Sequence, residues 1–135
     1  MTLTDAGALV TLVDKNQPQS AGCRSTFATL SLPLVTTWPA FTEAMYLVYR
    51  VGGWPLQHNL WEYVEQGLLR LHSSTEAEQR RMRQLMEQYR DTPMDLADAS
   101  LVATAEVLNL SRIFALDSDF YVYRINNTGV FEVVP

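Results

Sequence analysis

Cysteine is almost absent from this 135-residue chain. Cys23 stands alone, so no internal disulfide can staple the fold, and a reducing, cytoplasmic setting is expected. Histidine is as scarce. His58 and His72 have no Cys or His at metal-ligand spacing, which excludes a zinc site and leaves each as a surface or satisfied side chain. No apolar run is long enough to cross a bilayer, and no basic segment followed by an apolar stretch marks the start as a secretory signal. Gly52-Gly53 lacks a following Lys-Ser or Lys-Thr, so it is no phosphate loop. Ser100 and Ser118 lack a nucleophile-elbow setting, and Cys23 has no evident base. Repeats, low-complexity segments and interdomain linkers are missing too.

Positive charge is the other shortage: 10 basic residues face 15 acidic ones, a net charge of −5. That balance argues against a protein that coats nucleic acid through a broad basic footprint. It leaves room for an enzyme that meets nucleic acid through bound cations. What is abundant is apolar content, 47% of residues, enough for a buried core in one domain spanning 1–135.

Strand and helix signals alternate along the whole length. Leu3–Asp5 reads as a brief strand, followed by a helix ending by Asp14–Pro18 and a second from Gln19 to about Leu30. Val35–Thr37 is short and β-branched, a buried strand. A helix opens at Thr37 or Trp38, with Pro39 in its first turn, and stops at Gly52-Gly53. Another helix fits Pro55–Glu65, then a strand Leu68–His72, with Ser73 or Ser74 capping a charged helix Thr75–Tyr89. Thr92-Pro93-Met94-Asp95 has the spacing of a capping box and predicts a helix running through Leu108. Arg112–Leu116 is a strand, Asp117–Tyr121 a turn of helix, and Phe131–Val134 a last strand. The expected fold class is α/β, a three-layer α/β/α sandwich with a mostly parallel central sheet.

In such sheets ligands gather beyond the carboxyl ends of the strands. Asp5 and Asp117 follow strands there, while Glu43 and Asp98 sit early in helices that follow strand or loop segments. Asp98 stands out, because Leu101, Val102 and Ala105 share its helix face and mark it as buried. A carboxylate there needs a hydrogen bond, a partner charge or a metal. Each acid also has a plainer reading. Asp5 suits a helix cap, Asp95 the partner of Thr92 in the capping box, Asp98 and Glu43 early helical positions that favour acids, and Asp117 and Asp119 a turn. The arginines Arg80, Arg81, Arg83 and Arg90 share their helix with Glu76, Glu78 and Glu87, which reads as a solvated face rather than a phosphate site.

Four segments, in order, resemble the PIN domain family. They are Leu3-Thr4-Asp5-Ala6-Gly7-Ala8-Leu9-Val10, Thr36-Thr37-Trp38-Pro39-Ala40-Phe41-Thr42-Glu43-Ala44, Leu96-Ala97-Asp98-Ala99-Ser100-Leu101-Val102 with Ala103-Thr104-Ala105, and Phe114-Ala115-Leu116-Asp117-Ser118-Asp119-Phe120. The third is the most specific, and the set spans Leu3 to about Arg124. VapC-type ribonuclease toxins are the subgroup it looks most like. The resemblance implies a Mg²⁺- or Mn²⁺-dependent endoribonuclease in which Asp5 and Asp98 are the main ligands. Glu43 and Asp117 would hold the metal or its waters, with Asp95 and Asp119 as further candidates. Thr4, Thr37 and Arg112 are candidates for assisting groups. The resemblance also implies a homodimer, an RNA substrate and a small antitoxin partner whose C-terminal segment inserts an Arg or Lys among the acids. Ala115 departs from the family, many of whose members carry Thr or Ser there. That departure raises an alternative, a catalytically weakened PIN-like module for binding RNA or protein. A metal phosphatase for small substrates is a third reading of the same acids.

Overall fold

The computed structural model describes all residues, Met1–Pro135. Five parallel strands, β1 (Thr2–Thr4), β2 (Leu34–Thr37), β3 (Leu69–His72), β4 (Arg112–Phe114) and β7 (Glu132–Val134), form a sheet in the order β3-β2-β1-β4-β7. Six helices accompany them: α1 (Ala6–Val13), α2 (Ser20–Phe27), α3 (Trp38–Gly52), α4 (Trp54–Glu65), α5 (Glu76–Gln88) and α6 (Leu96–Leu108). All five expected strands are present. A small antiparallel hairpin, β5 (Arg124–Ile125) with β6 (Gly129–Val130), was not expected from the sequence.

The central strands β1 and β2 are buried on both faces, and side chains along the sheet alternate between two cores. Leu3, Val35 and Ile113 point to one core, shared with Leu101, Val102 and Ala105 of α6 and with Met82 and Leu85 of α5. Leu34, Leu69 and Phe114 point to the other, with Leu9, Phe41, Val48 and Leu60 from α1, α3 and α4. Both faces are thus covered, as an all-parallel sheet requires.

Chain order explains where a site belongs. From β1 the chain winds outward through β2 to the edge strand β3. It then crosses back to β4 on the other side of β1. The direction of winding reverses between β1 and β4, so the loops leaving those strands diverge and open a crevice at their carboxyl ends.

Two helix starts differ from expectation. Helix α5 begins after Thr75, not Ser73 or Ser74. The Thr75 side chain accepts from the Glu78 amide (3.2 Å), while the Glu78 carboxylate accepts from the Thr75 amide (2.8 Å). This reciprocal pair satisfies two amides that a lone serine cap would leave open. Helix α6 begins after Asp95, and the expected box from Thr92 does not form; Asp95 is itself the cap, accepting from the Asp98 amide at 2.8 Å. Pro93 and Met94 stay outside the helix. Strand β4 ends at Phe114, two residues before Leu116.

Candidate active site

All six candidate acids border one cavity of about 390 Å³ at the switch point, together with Ala6, Gly7, Leu47, Pro93 and Leu116. No Lys or Arg lines it. Four separated stretches contribute: the end of β1, the second turn of α3, the start of α6 and the loop after β4.

Three of the acids are helix caps; this is the plainer reading of Asp5, whereas Asp95 caps α6 itself and is not the partner of Thr92. Asp5 caps α1 by accepting from the Ala6 amide (2.7 Å), Asp95 caps α6, and Asp117 caps the 3-10 turn Ser118–Tyr121 by accepting from the Asp119 amide (3.0 Å). In each, the oxygen named Oδ1 takes the amide while Oδ2 accepts no hydrogen bond from the protein. Capping therefore orients these carboxylates without using them up. Asp98 follows the same principle with a side-chain donor, the Tyr123 hydroxyl at 2.8 Å from its Oδ2, which leaves Oδ1 free.

Burial separates the six. Asp5 and Asp98 are 7% and 9% exposed, while Glu43, Asp95 and Asp117 are exposed and Asp119 is half-buried. Burial raises the Asp98 carboxyl to about 7; the Tyr123 hydroxyl opposes the rise, and Asp95, Asp5 and Asp119 add to it. Burial likewise raises Asp5 to about 6, against the Ala6 amide and with repulsion from Glu43, Asp117 and Asp95. Glu43 and Asp119 are raised too, first by burial and then by neighbouring carboxylates. Four segments that converge on one low-dielectric pocket thus make it costly to ionise all the acids at once.

The donor set suits a hard divalent cation: oxygen only, several carboxylates, and at least one uncommitted oxygen on each of the two buried acids. As placed, no three of these side chains stand at the spacing one ion would need. Unneutralised carboxylates repel, and closer approach requires a cation between them.

The assisting candidates lie elsewhere. The Thr4 hydroxyl donates to the Thr2 carbonyl, and Thr37 caps α3 while bonded to the Ser100 hydroxyl. Arg112 is paired with Glu132. Ala115 packs into the core shared with α6 and does not line the cavity. His72 is satisfied by Glu78 at 2.6 Å. Tyr123, fully buried, is the functional residue that sequence reading missed. It lies 25 residues from Asp98, in a segment with no periodic signal, and only the closed fold brings the two together.

Comparison with known proteins agrees with this fold. The VapC20 toxin of Mycobacterium tuberculosis superposes with a TM-score of 0.84 at 14% identity, covering 90% of this chain and 94% of that one. A toxin–antitoxin complex from Klebsiella pneumoniae gives 0.71 at 15% identity, covering 100% and 97%. FitAcB from Neisseria gonorrhoeae gives 0.63 at 17% identity, covering 98% and 97%. No curated protein matches in sequence. The PIN domain family model matches residues 2–126, nearly the whole chain, and with the acids placed at the switch point of a PIN-like sheet, the chain belongs to the PIN domain family.

Proposed function

We propose that this protein is a divalent-metal-dependent endoribonuclease and the toxin of a type II toxin–antitoxin pair. One observation carries the reading: six carboxylates from four separated segments border a single cavity that contains no basic side chain. A purely structural use of these acids would not require them to share one space.

Asp5 and Asp98 are the proposed principal ligands for Mg²⁺ or Mn²⁺. Glu43 and Asp117 reach the ion or its waters, and Asp95 and Asp119 complete the acidic wall. When bound, such an ion acidifies a water and stabilises charge on the phosphate and the leaving oxygen. The chain's own contribution is orientation. The Ala6 amide fixes Asp5, the Tyr123 hydroxyl fixes Asp98, and the amides of Asp98 and Asp119 fix Asp95 and Asp117. Preorganised groups of this kind need no rearrangement as charge develops.

The structural relatives support the substrate and partner. VapC20 is described as cleaving the sarcin–ricin loop, and the Klebsiella relative is a toxin–antitoxin complex. An antitoxin that places an Arg or Lys in the cavity would pair with the carboxylates and displace a metal together. A homodimer in the cytoplasm is part of the same proposal; no helix is long and apolar enough to cross a membrane.

A second reading is a PIN-like module that binds without cutting, the alternative raised by Ala115. The test is internal cleavage of RNA with Mn²⁺ or Mg²⁺, abolished by EDTA. Asp5→Asn and Asp98→Asn should each lower the rate by about 10²-fold or more, the scale of electrostatic stabilisation in such sites. If both variants cut as fast as wild type, the site assignment is wrong. If wild type binds RNA but never cuts it, the binding module is right.

A further inference from the structure

The acid cavity does not end at the acids. A second cavity of about 370 Å³ runs between α1 and α3, and the two share Gly7, Leu47 and Leu116. They adjoin at these three residues, so the wall of the acid cavity carries on past Gly7 as a trench. Beyond that junction Val10 and the exposed Val51 join the shared leucines as an apolar strip, with Thr11 and Gln17 beside it. Gln19 stands at its side with no hydrogen bond from its amide, although it precedes α2 at the cap position.

Gly7 stands at this junction. It is the second residue of α1, and a Cβ there would meet nothing within 4 Å, so alanine fits and only a larger side chain would project into the trench.

A cation stands near the trench on α3: Arg50 directly precedes Val51, although its side chain lines neither cavity. Of the ten basic side chains, Arg81, Arg90 and Arg112 are paired with carboxylates, and Arg124 is turned onto the carbonyls of residues 121–123. Arg50 has no hydrogen-bond partner and instead lies over the Tyr46 ring, 5.8 Å from its centroid. Both side chains are exposed. Arg50 follows Glu43 by seven residues, two turns of α3, so it shares the acid's stripe about 10 Å further along the helix. Long helical side chains lean toward the N-terminus, which brings the guanidinium back toward Glu43.

We infer that this trench binds the nucleotide next to the scissile phosphate of single-stranded RNA, its base laid on the apolar strip and its far phosphate held by Arg50 and Tyr46. This rests on the proposed ribonuclease reading. Its chemistry requires an unpaired base, since only an unstacked base can present its face to such a strip. Gln19 offers an amide donor and acceptor to the base edge.

Two measurements test it separately from the cleavage chemistry. The first is binding of a fluorescein-labelled single-stranded RNA of mixed sequence in EDTA, read by polarisation. The second is Mn²⁺-dependent cleavage of the same RNA, with KM and kcat resolved. Arg50→Ala should raise Kd and KM about tenfold, as loss of a stacking or phosphate contact does, with kcat within about twofold. Gly7→Leu should block the trench and weaken binding at least as much, while Gly7→Ala melts at or above wild type. Arg70→Ala, which removes an exposed arginine from the edge strand β3, should change none of these values. Duplex RNA should not compete. If wild type binds and cuts while Arg50→Ala and Gly7→Leu bind as wild type does, the trench is not the subsite. The same holds if Arg70→Ala weakens binding as much as Arg50→Ala. If the variants lose binding but wild type never cuts, the trench stands and the nuclease reading falls. If wild type neither binds nor cuts, both fall.

Discussion

The hydroxyl of Tyr123 donates to the Asp98 carboxylate at 2.8 Å, and the tyrosine ring is fully buried between Phe120 and Tyr89. Each partner alters the other. The hydroxyl opposes the burial that raises Asp98 to about 7, while burial and the carboxylate push the Tyr123 phenol far above its usual range, so it acts only as a donor. Asp98 is thus held in one rotamer with one oxygen turned to the cavity.

Tyr123→Phe removes the donor and leaves the ring packing. Loss of one buried hydrogen bond should cost about 1 kcal/mol of stability. The larger consequence is electrostatic: without the hydroxyl, Asp98 rises further. The acid limb of the pH–rate profile for RNA cleavage should therefore move to higher pH. A profile that stays in place with only a lower melting temperature would leave Tyr123 a packing residue.

The metal-free protein should lose stability as pH rises from about 4 to about 7. Asp5 and Asp98 titrate near 6 and 7 in the fold, against an unfolded value near 3.8. Across that window the folded state holds more protons than the unfolded state, so unfolding free energy falls with pH. Asp5 contributes about 3 kcal/mol and Asp98 about 4 kcal/mol to the total change, orders of magnitude set by 1.36 kcal/mol per unit. Urea midpoints in EDTA across this range check the sign; a midpoint that climbs toward pH 7 would refute it.

Replacing Asp98 separates a metal ligand from a structural acid. Above pH 7.5 in EDTA, Asp98→Asn should melt at or above the wild-type temperature, because it removes a buried charge yet keeps an oxygen for Tyr123. It should also lose most of the stabilisation that Mn²⁺ confers on wild type. A structural Asp98 predicts the reverse, a lower melting temperature in EDTA and an intact Mn²⁺ shift.

The proposed homodimer is checked by light scattering at micromolar concentration. Exposed Trp54, Tyr49 and Trp61 are surface residues rather than core, so apolar area for assembly exists on α3 and α4. Monomer at every concentration would remove the dimer from the proposal.

Much of the fold was legible in order along the chain. Short β-branched runs buried on both sides can only be central strands, and Val35–Thr37 reads that way without any knowledge of its neighbours. The stripe Leu101, Val102 and Ala105 placed Asp98 on a buried face, and the structure keeps it there. Boundaries were less legible where two residues compete for one role. Ser73, Ser74 and Thr75 all suit a cap, and the choice falls to Thr75 because Glu78 reciprocates its bond three residues on.

Local pattern thus determined most of the elements and the α/β class, because helical and strand periodicity and capping chemistry act over a few residues. The tertiary structure alone decided which oxygens are committed and which are free. It also paired Tyr123 with Asp98 and set a trench beside the acid cavity at Gly7. Those relations join residues from elements that meet only when the chain reverses its winding between β1 and β4. No local spacing records them, because their geometry is set by how two buried cores fix the sheet against its helices.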